Sequence, residues 1–200
     1  MADNARWARR PAGSTWGDFG ADDERGRLNL LTREKVLQGI AEVKVGKTFC
    51  LSLPLDYPGG AILSPRRHPP VLKPTMRGDK PNMNYPLRCD DPTALDVVCD
   101  DQVILTLQYS TQWDSLAHVG QMFDADGDDI AEDCFYNGYR AGVDIIGPVT
   151  YDAKGNTTPT NQTPGARRLS VENMAVSCVQ GRAVMIDLEA HFGIGEDRRV

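Results

Sequence analysis

The chain lacks long apolar runs and an excess of basic residues, and these two absences exclude whole classes of partner. No run of about 18 apolar residues occurs, so the sequence predicts no membrane-spanning helix. Lys and Arg total 22 against 28 Asp and Glu, a net charge of −6 that offers no electrostatic footprint for nucleic acid. Arginine pairs such as Arg66-Arg67 are expected to be solvated loop charges. We therefore expect a small-molecule substrate as the partner, and we expect neither a membrane nor a nucleic acid.

The sequence also gives no indication of disulfides, of a structural zinc site or of secretion. The five cysteines are odd in number and show neither Cys-x-x-Cys pairs nor zinc-finger spacing. The N-terminal residues lack the apolar core of a secretory signal. We therefore expect reduced thiols in a cytoplasmic protein.

The apolar patterns that are present predict both helices and strands. Residues 31–47 and 169–179 have helical periodicity, with Thr32 and Ser170 as candidate N-caps. Predicted strands, recognised by apolar runs or alternation, lie at 47–56, 102–109, 144–152 and 182–190. The nearly continuous apolar run of 102–109 predicts a strand covered on both faces. Together these elements indicate an α/β or α+β fold.

The expected organisation is an irregular N-terminal arm over residues 1–25 and a single domain over 26–200. Within that domain, residues 56–92 hold most of the thirteen prolines and form too long a span for an ordinary connection, so they predict a lid or an oligomer loop. Seven apolar anchors of this span need a surface to pack on: Tyr57, Ile62, Leu63, Val71, Leu72, Met76 and Tyr85. We therefore expect a homo-oligomer, a dimer or larger, with a mobile surface loop as the alternative.

Polar side chains crowd into the segment STQWDSLAHVG, residues 110–120, directly after the predicted strand 102–109. In an extended backbone Gln112 and Asp114 point to the same side, and Gln108 joins them if the strand continues. His118 can fold back over them if the chain turns after Asp114. A carboxylate, amide oxygens and an imidazole suit a divalent cation with a general base. The alternative is a polar turn in which Asp114 bonds His118 and Trp113 packs in the core.

The same segment resembles the signature His-x-Gly-Thr-His-x-Asp-x-Pro-x-His of the cyclase superfamily, which includes bacterial kynurenine formamidase and isatin hydrolase. The signature would run from Gln108 to His118, with Thr111, Asp114 and His118 matching. Other stretches are similar to the branch of that superfamily with the STQWD-type motif: WGDFGADDERGRLNLLTREKVL, GKTFCLSLPLD, FYNGY and GRAVMID.

The resemblance implies a metal-dependent hydrolase of amide or lactone bonds in a small cyclic or aromatic substrate. It also implies a layered β/β/α, barrel-like (swivelling) fold. Asp114 would be a metal ligand, and His118 would act as general acid or base. Gln108 and Gln112 stand where the family has ligand histidines. Because an amide oxygen is a harder and weaker ligand than imidazole, zinc affinity should fall, which leaves manganese, magnesium or no metal.

Three further side chains are expected to line the substrate pocket: Trp113, Tyr136 and Asn137. Two other functions stay open, a metal-free cyclase or dehydratase and a non-catalytic relative that binds a small molecule. Family members continue into a C-terminal segment with another histidine and an acidic ligand. We expect that segment to be lacking here, so that the chain forms the N-terminal part of the fold.

The segment DADGDDIAED, residues 124–133, places Asp124, Asp126 and Asp128 at the first three ligand spacings of an EF-hand. The sixth position is Asp129 in place of glycine, and the twelfth is Phe135 in place of glutamate. A solvated acidic loop is therefore expected.

Overall fold

The computed structural model describes residues 6–61 and 64–193, which divide into two compact units. Unit 1 comprises the described residues up to Lys47 and from Asp114 onward, and unit 2 is Thr48–Trp113. Short helices and short strands occur together, which confirms the expected mixture of α and β structure. The strands pair two by two, and those of the described residues do not close into a barrel.

Unit 2 is built from three antiparallel strand pairs. Its strands are β1 (Val71–Pro74), β2 (Met76–Arg77), β3 (Lys80–Pro81), β4 (Tyr85–Pro86), β5 (Val97–Val98) and β6 (Asp101–Ile104). Strand β1 pairs with β6, β2 with β3, and β4 with β5. A single 3-10 turn, Leu87–Cys89, follows β4.

A polar cluster holds the interior of unit 2 together. Asn82 and Tyr85 are both buried, and the Oδ1 of Asn82 accepts a hydrogen bond from Arg77 Nε at 2.8 Å. The hydroxyl of Tyr85 and the Nη1 of Arg77 each donate to Asp90, both at 2.8 Å. The described part of the proline-rich span therefore has fixed internal contacts.

The predicted strand 102–109 is shorter and more exposed than the sequence indicated. Strand β6 ends at Ile104, and all four of its side chains are exposed. The prediction of a strand covered on both faces is therefore wrong. Beyond β6 the chain turns so that Tyr109 becomes buried and donates its hydroxyl to Gly60 O at 2.8 Å.

Unit 1 contains the helices and six further strands. The helices are α1 (Arg33–Ala41), α2 (Val171–Ser177) and α3 (Leu188–Phe192). The strands are β7 (Gln121–Phe123), β8 (Glu132–Cys134), β9 (Ile145–Ile146), β10 (Val149–Tyr151), β11 (Thr157–Pro159) and β12 (Gly165–Ala166). Strand β7 pairs with β8, β9 with β12, and β10 with β11, all antiparallel. None of the helices in the described ranges is long and apolar enough to cross a lipid bilayer.

Helix predictions are confirmed more often than strand predictions. Thr32 and Ser170 precede α1 and α2 in extended conformation, as N-cap residues do. The predicted strand at 144–152 occurs as β9 and β10. Those at 47–56 and 182–190 are wrong: the first stretch has no regular structure and the second runs into α3. Alternating apolar residues need a partner strand, and the described chain gives these two stretches none.

The core of unit 1 contains a residue from the predicted N-terminal arm. Trp16, Ala125 and Cys134 are all buried and form one cluster. The Trp16 ring meets Phe123 edge to face at 5.9 Å between centroids and tilts against Trp7 at 6.2 Å. The described part of the arm is thus irregular in backbone but supplies the central side chain of the core.

Candidate active site

Asp114 and His118 line the same cavity in unit 1. The cavity has a volume of about 560 Å³, within the range of about 300–1,000 Å³ usual for small-molecule sites. Three segments enclose it: 13–16 from the N-terminal region, 114–121 from the motif, and 134–136 after β8. Trp16, Phe135 and Tyr136 place aromatic rings in its wall.

A tight turn after Asp114 sets the position of His118. The backbone N–H of His118 donates to Ser115 O at 3.1 Å, and that of Ala117 donates to Ser115 Oγ at 3.2 Å. Asp114 and His118 are both exposed, so a dissolved molecule can reach the carboxylate and the imidazole. The local turn predicted from the sequence therefore brings these two groups to one cavity.

Gly120 lets the motif segment approach strand β8 closely. A Cβ atom at this position would lie 2.5 Å from the carbonyl oxygen of Cys134 and 3.1 Å from the ring of Phe135. Because the first of these neighbours is backbone, it cannot move aside without displacing the strand. The absence of a side chain at Gly120 thus allows segments 114–121 and 134–136 to form adjacent walls of the cavity.

Tyr136 contributes a ring to the wall and a hydroxyl that is already engaged. The hydroxyl donates to Asp23 Oδ2 at 2.8 Å. Burial, with the hydrogen bond and the negative charge of Asp23, raises the pKa of Tyr136 well above its ordinary value. The phenol is therefore neutral at physiological pH and cannot serve as a base there.

Asn137 lies in the interior of unit 1 and is not among the residues that line this cavity. Its Nδ2 donates to the carbonyl oxygens of Gly20, Ala21 and Asp23 at 3.0–3.1 Å. Its Oδ1 accepts a hydrogen bond from Gly17 N at 2.9 Å. These bonds tie the N-terminal loop to the turn that carries Tyr136.

Cys134 also lines the cavity, but the environment of its thiol opposes nucleophilic chemistry. It accepts a hydrogen bond from Arg140 Nη1 at 2.6 Å and donates one to Phe123 O at 3.5 Å. Burial raises the pKa of Cys134, and the nearby Arg140 only partly opposes that effect. Because only the thiolate is a nucleophile, we interpret Cys134 as a structural residue of the cavity wall.

The donors within unit 1 do not complete a metal site around Asp114 and His118. Among the described residues, the side chains of Asp124, Asp126 and Asp128 are the group of His, Cys, Asp and Glu close enough together to hold an ion. That group excludes both cavity residues. Unit 1 therefore supplies one of the metal ligands that the family resemblance implies, Asp114, together with His118 as the expected acid or base, and the metal remains a prediction.

Gln108 and Gln112 belong to unit 2, where they line a cavity of about 390 Å³. Arg67 lines the same cavity, half-buried, and its Nη1 donates to Gln108 O at 2.9 Å. The expectation of a solvated loop charge is therefore wrong for Arg67, although the neighbouring Arg66 is exposed. Trp113 is 56% exposed and lines neither of these two cavities.

Trp16 and Arg67 line cavities, although neither was among the site residues predicted from the sequence. Trp16 carried a signal, because a tryptophan in a glycine- and aspartate-rich stretch is a large apolar side chain that needs burial. Arg67 carried none, because nothing in the sequence distinguishes it from Arg66.

Comparison with known proteins bears on the fold and on the family resemblance. No family model matches the chain, and no curated protein matches it. Among solved structures, the chain is similar to a crystal structure described as that of a novel cyclase, with 29% sequence identity and a TM-score of 0.51. The match covers 80% of this chain and 42% of that chain, so this chain spans less than half the length of the solved cyclase. The likeness supports the resemblance to the cyclase superfamily: in sequence and in fold, the chain is similar to a cyclase.

Proposed function

We propose that this protein hydrolyses an amide or lactone bond in a small cyclic or aromatic substrate. The observation that carries the proposal is the shared cavity of Asp114 and His118. It joins a carboxylate and an imidazole to a wall of aromatic rings. The similarity to a solved cyclase favours an enzyme over a purely structural domain.

The two polar residues take complementary roles. Imidazole is the side chain most often used to transfer protons near neutral pH, and His118 accepts a proton from the attacking water. Asp114 orients that water by accepting a hydrogen bond from it. The water oxygen adds to the carbonyl carbon, and the C–N or C–O bond then breaks. His118 returns its proton to the departing nitrogen or oxygen, which leaves a carboxylic acid and an amine or alcohol.

The aromatic wall accounts for the proposed substrate class. Trp16 is 5% exposed and is held by Phe123, so its ring is fixed in place before a ligand arrives. Fixed rings bind flat apolar groups without an entropic cost of ordering the site. The cavity of about 560 Å³ therefore suits a small ring compound.

A metal-free cyclase or dehydratase is the second candidate. It is favoured by the incomplete donor set around Asp114 and His118 in unit 1. Proton transfer between these two residues and the substrate needs no metal ion. A metal-dependent hydrolase instead requires further ligands in addition to Asp114.

Replacing His118 tests the catalytic assignment. The full chain is assayed on a panel of aromatic formamides and lactones. General acid–base catalysis contributes about 10²- to 10⁴-fold, so His118→Ala should lower turnover by about that factor. His191→Ala is the matched control, because His191 lies on α3 and packs against Phe192. A His118→Ala variant that turns over a panel substrate at the parent rate would contradict the assignment.

Metal analysis of freshly purified protein separates the candidates. A stoichiometric divalent ion that is lost in Asp114→Ala would support metal-dependent hydrolysis. Activity without an ion, and unaffected by chelators, would support the metal-free enzyme. Absence of both the ion and activity on the panel would contradict both enzymes and favour a small-molecule-binding relative.

A further inference from the structure

We propose that the cavity of unit 2 is a binding site for a carboxylate carried on a small apolar or aromatic body. The site lies at the two glutamines of the motif, which line it together with Arg67. Its test is independent of hydrolysis, since the test measures ligand binding alone.

The guanidinium of Arg67 determines the charge of the ligand. Arg67 is half-buried as a residue, and the bond from its Nη1 to Gln108 O uses one of the five N–H donors of the guanidinium. In the described ranges no carboxylate forms a salt bridge with Arg67, whereas eight other ion pairs occur there. A half-buried cation that lines a cavity without a carboxylate partner attracts an anion, and arginine matches a carboxylate by two parallel hydrogen bonds.

The side chain of Gln108 is compatible with an anion. An amide presents N–H donors as readily as a carbonyl oxygen, so Gln108 can bind either a carboxylate or a cation. The positive charge of Arg67 in the same cavity repels a divalent cation and attracts a carboxylate. The guanidinium of Arg67 beside the Gln108 amide therefore favours an anion.

The rest of the cavity suits an apolar body of modest size. Its remaining wall includes the side chains of Leu53, Tyr57, Pro58 and Tyr109. Two side-chain bonds pin the segment that carries the glutamines: Tyr109 to Gly60 O at 2.8 Å and Ser110 to Pro54 O at 2.9 Å. A volume of about 390 Å³ lies toward the lower end of small-molecule sites, which suits a compound of the size of benzoate.

Calorimetric titration of the full chain with benzoate tests the site, and neutral benzamide serves as the comparison ligand. We expect benzoate to bind more tightly than benzamide. The Arg67→Gln variant should lower the affinity for benzoate by about tenfold or more and leave the affinity for benzamide unchanged. Arg66→Gln is the matched control, because it removes the same charge from an exposed neighbour that does not line the cavity. It should bind benzoate as the parent does.

Several results would overturn the proposal. These are equal binding of benzoate and benzamide, no benzoate binding at millimolar concentration, or equal loss of affinity in the Arg66 and Arg67 variants. Tight Mn²⁺ binding that is lost in Gln108→Ala and strengthened in Arg67→Gln would identify a cation site instead. If Arg67→Gln does not fold, the comparison of the two ligands on the parent protein, and on Arg67→Lys, decides. None of these measurements depends on catalytic activity, so failure here and failure of the proposed hydrolysis are distinguishable.

Discussion

Asn137 shows how one buried side chain can organise a site without facing it. Its backbone has a φ of 57°, in the left-handed region that asparagine tolerates better than most residues. Its amide joins Gly17, Gly20, Ala21 and Asp23. The neighbouring Trp16 and Tyr136 both line the cavity, so we interpret Asn137 as a positioning residue for the proposed site.

Two substitutions separate the side chain of Asn137 from its backbone. Asn137→Gly keeps the left-handed conformation but loses four hydrogen bonds, and it should lower the free energy of unfolding by about 3 kcal/mol. Asn137→Ala should cost about 1 kcal/mol more, because alanine is strained at positive φ. Urea denaturation followed by tryptophan fluorescence measures both. A glycine variant as stable as the parent would rule out the structural role of the amide.

At the scale of elements, the hairpin of β7 and β8 brings the motif segment close to the aromatic wall. Gln121 lies opposite Cys134 in that pairing, and Gly120 comes directly before it. This pairing requires the backbone of Cys134 to lie close to Gly120, where a side chain would collide with it. The shape of the cavity is therefore sensitive to a substitution at Gly120, directly before β7.

We expect Gly120→Ala to destabilise the protein by about 1–3 kcal/mol, because the new methyl group would overlap the Cys134 carbonyl oxygen. It should also weaken the binding of any ligand in the unit 1 cavity. Gly155→Ala is the comparison, since a Cβ there meets open space and its only cost is the positive φ of 81°, about 1 kcal/mol. Thermal unfolding of the two variants measures the difference. Equal melting temperatures would show that the close approach at Gly120 is unimportant.

At the scale of the whole molecule, many large apolar side chains are exposed to solvent. Of the anchors expected in the proline-rich span, Tyr57, Val71, Leu72 and Met76 are 49–66% exposed, whereas Tyr85 is buried. Ile62 and Leu63 lie outside the described residues. Exposed apolar surface is unfavourable by about 25 cal/mol per Å². These exposures support the prediction of a homo-oligomer.

Light scattering at low micromolar concentration tests that prediction against the chain mass of 22.0 kDa. We expect a dimer or larger, with slow proteolysis between residues 60 and 80. A Leu72→Asp variant should shift the mass toward the monomer, because it buries a charge at an interface. Leu95→Asp is the control: Leu95 is 94% exposed and lies outside the span. A monomeric parent that is nicked rapidly in the span would contradict the prediction.

Features that depend on neighbours in sequence were determined by the sequence alone. Helices α1 and α2 begin directly after Thr32 and Ser170, as the sequence indicated, because helical periodicity is local; neither side chain makes a capping hydrogen bond. Asp114 and His118 line one cavity for the same reason, since a four-residue turn joins them. The layered barrel-like fold and the metal remain predictions from the resemblance, and the domain boundaries remain predictions from the sequence pattern.

Features that depend on distant partners were decided only by the tertiary structure. Arg66 and Arg67 are indistinguishable in sequence, yet one is exposed and the other lines a cavity, because Gln108, 41 residues away, accepts a hydrogen bond from Arg67 alone. Strand β6 is exposed although its sequence reads as buried, since burial requires a covering layer that its own residues cannot specify. Trp16 is in the core because Phe123 and Cys134, more than a hundred residues later, pack around it.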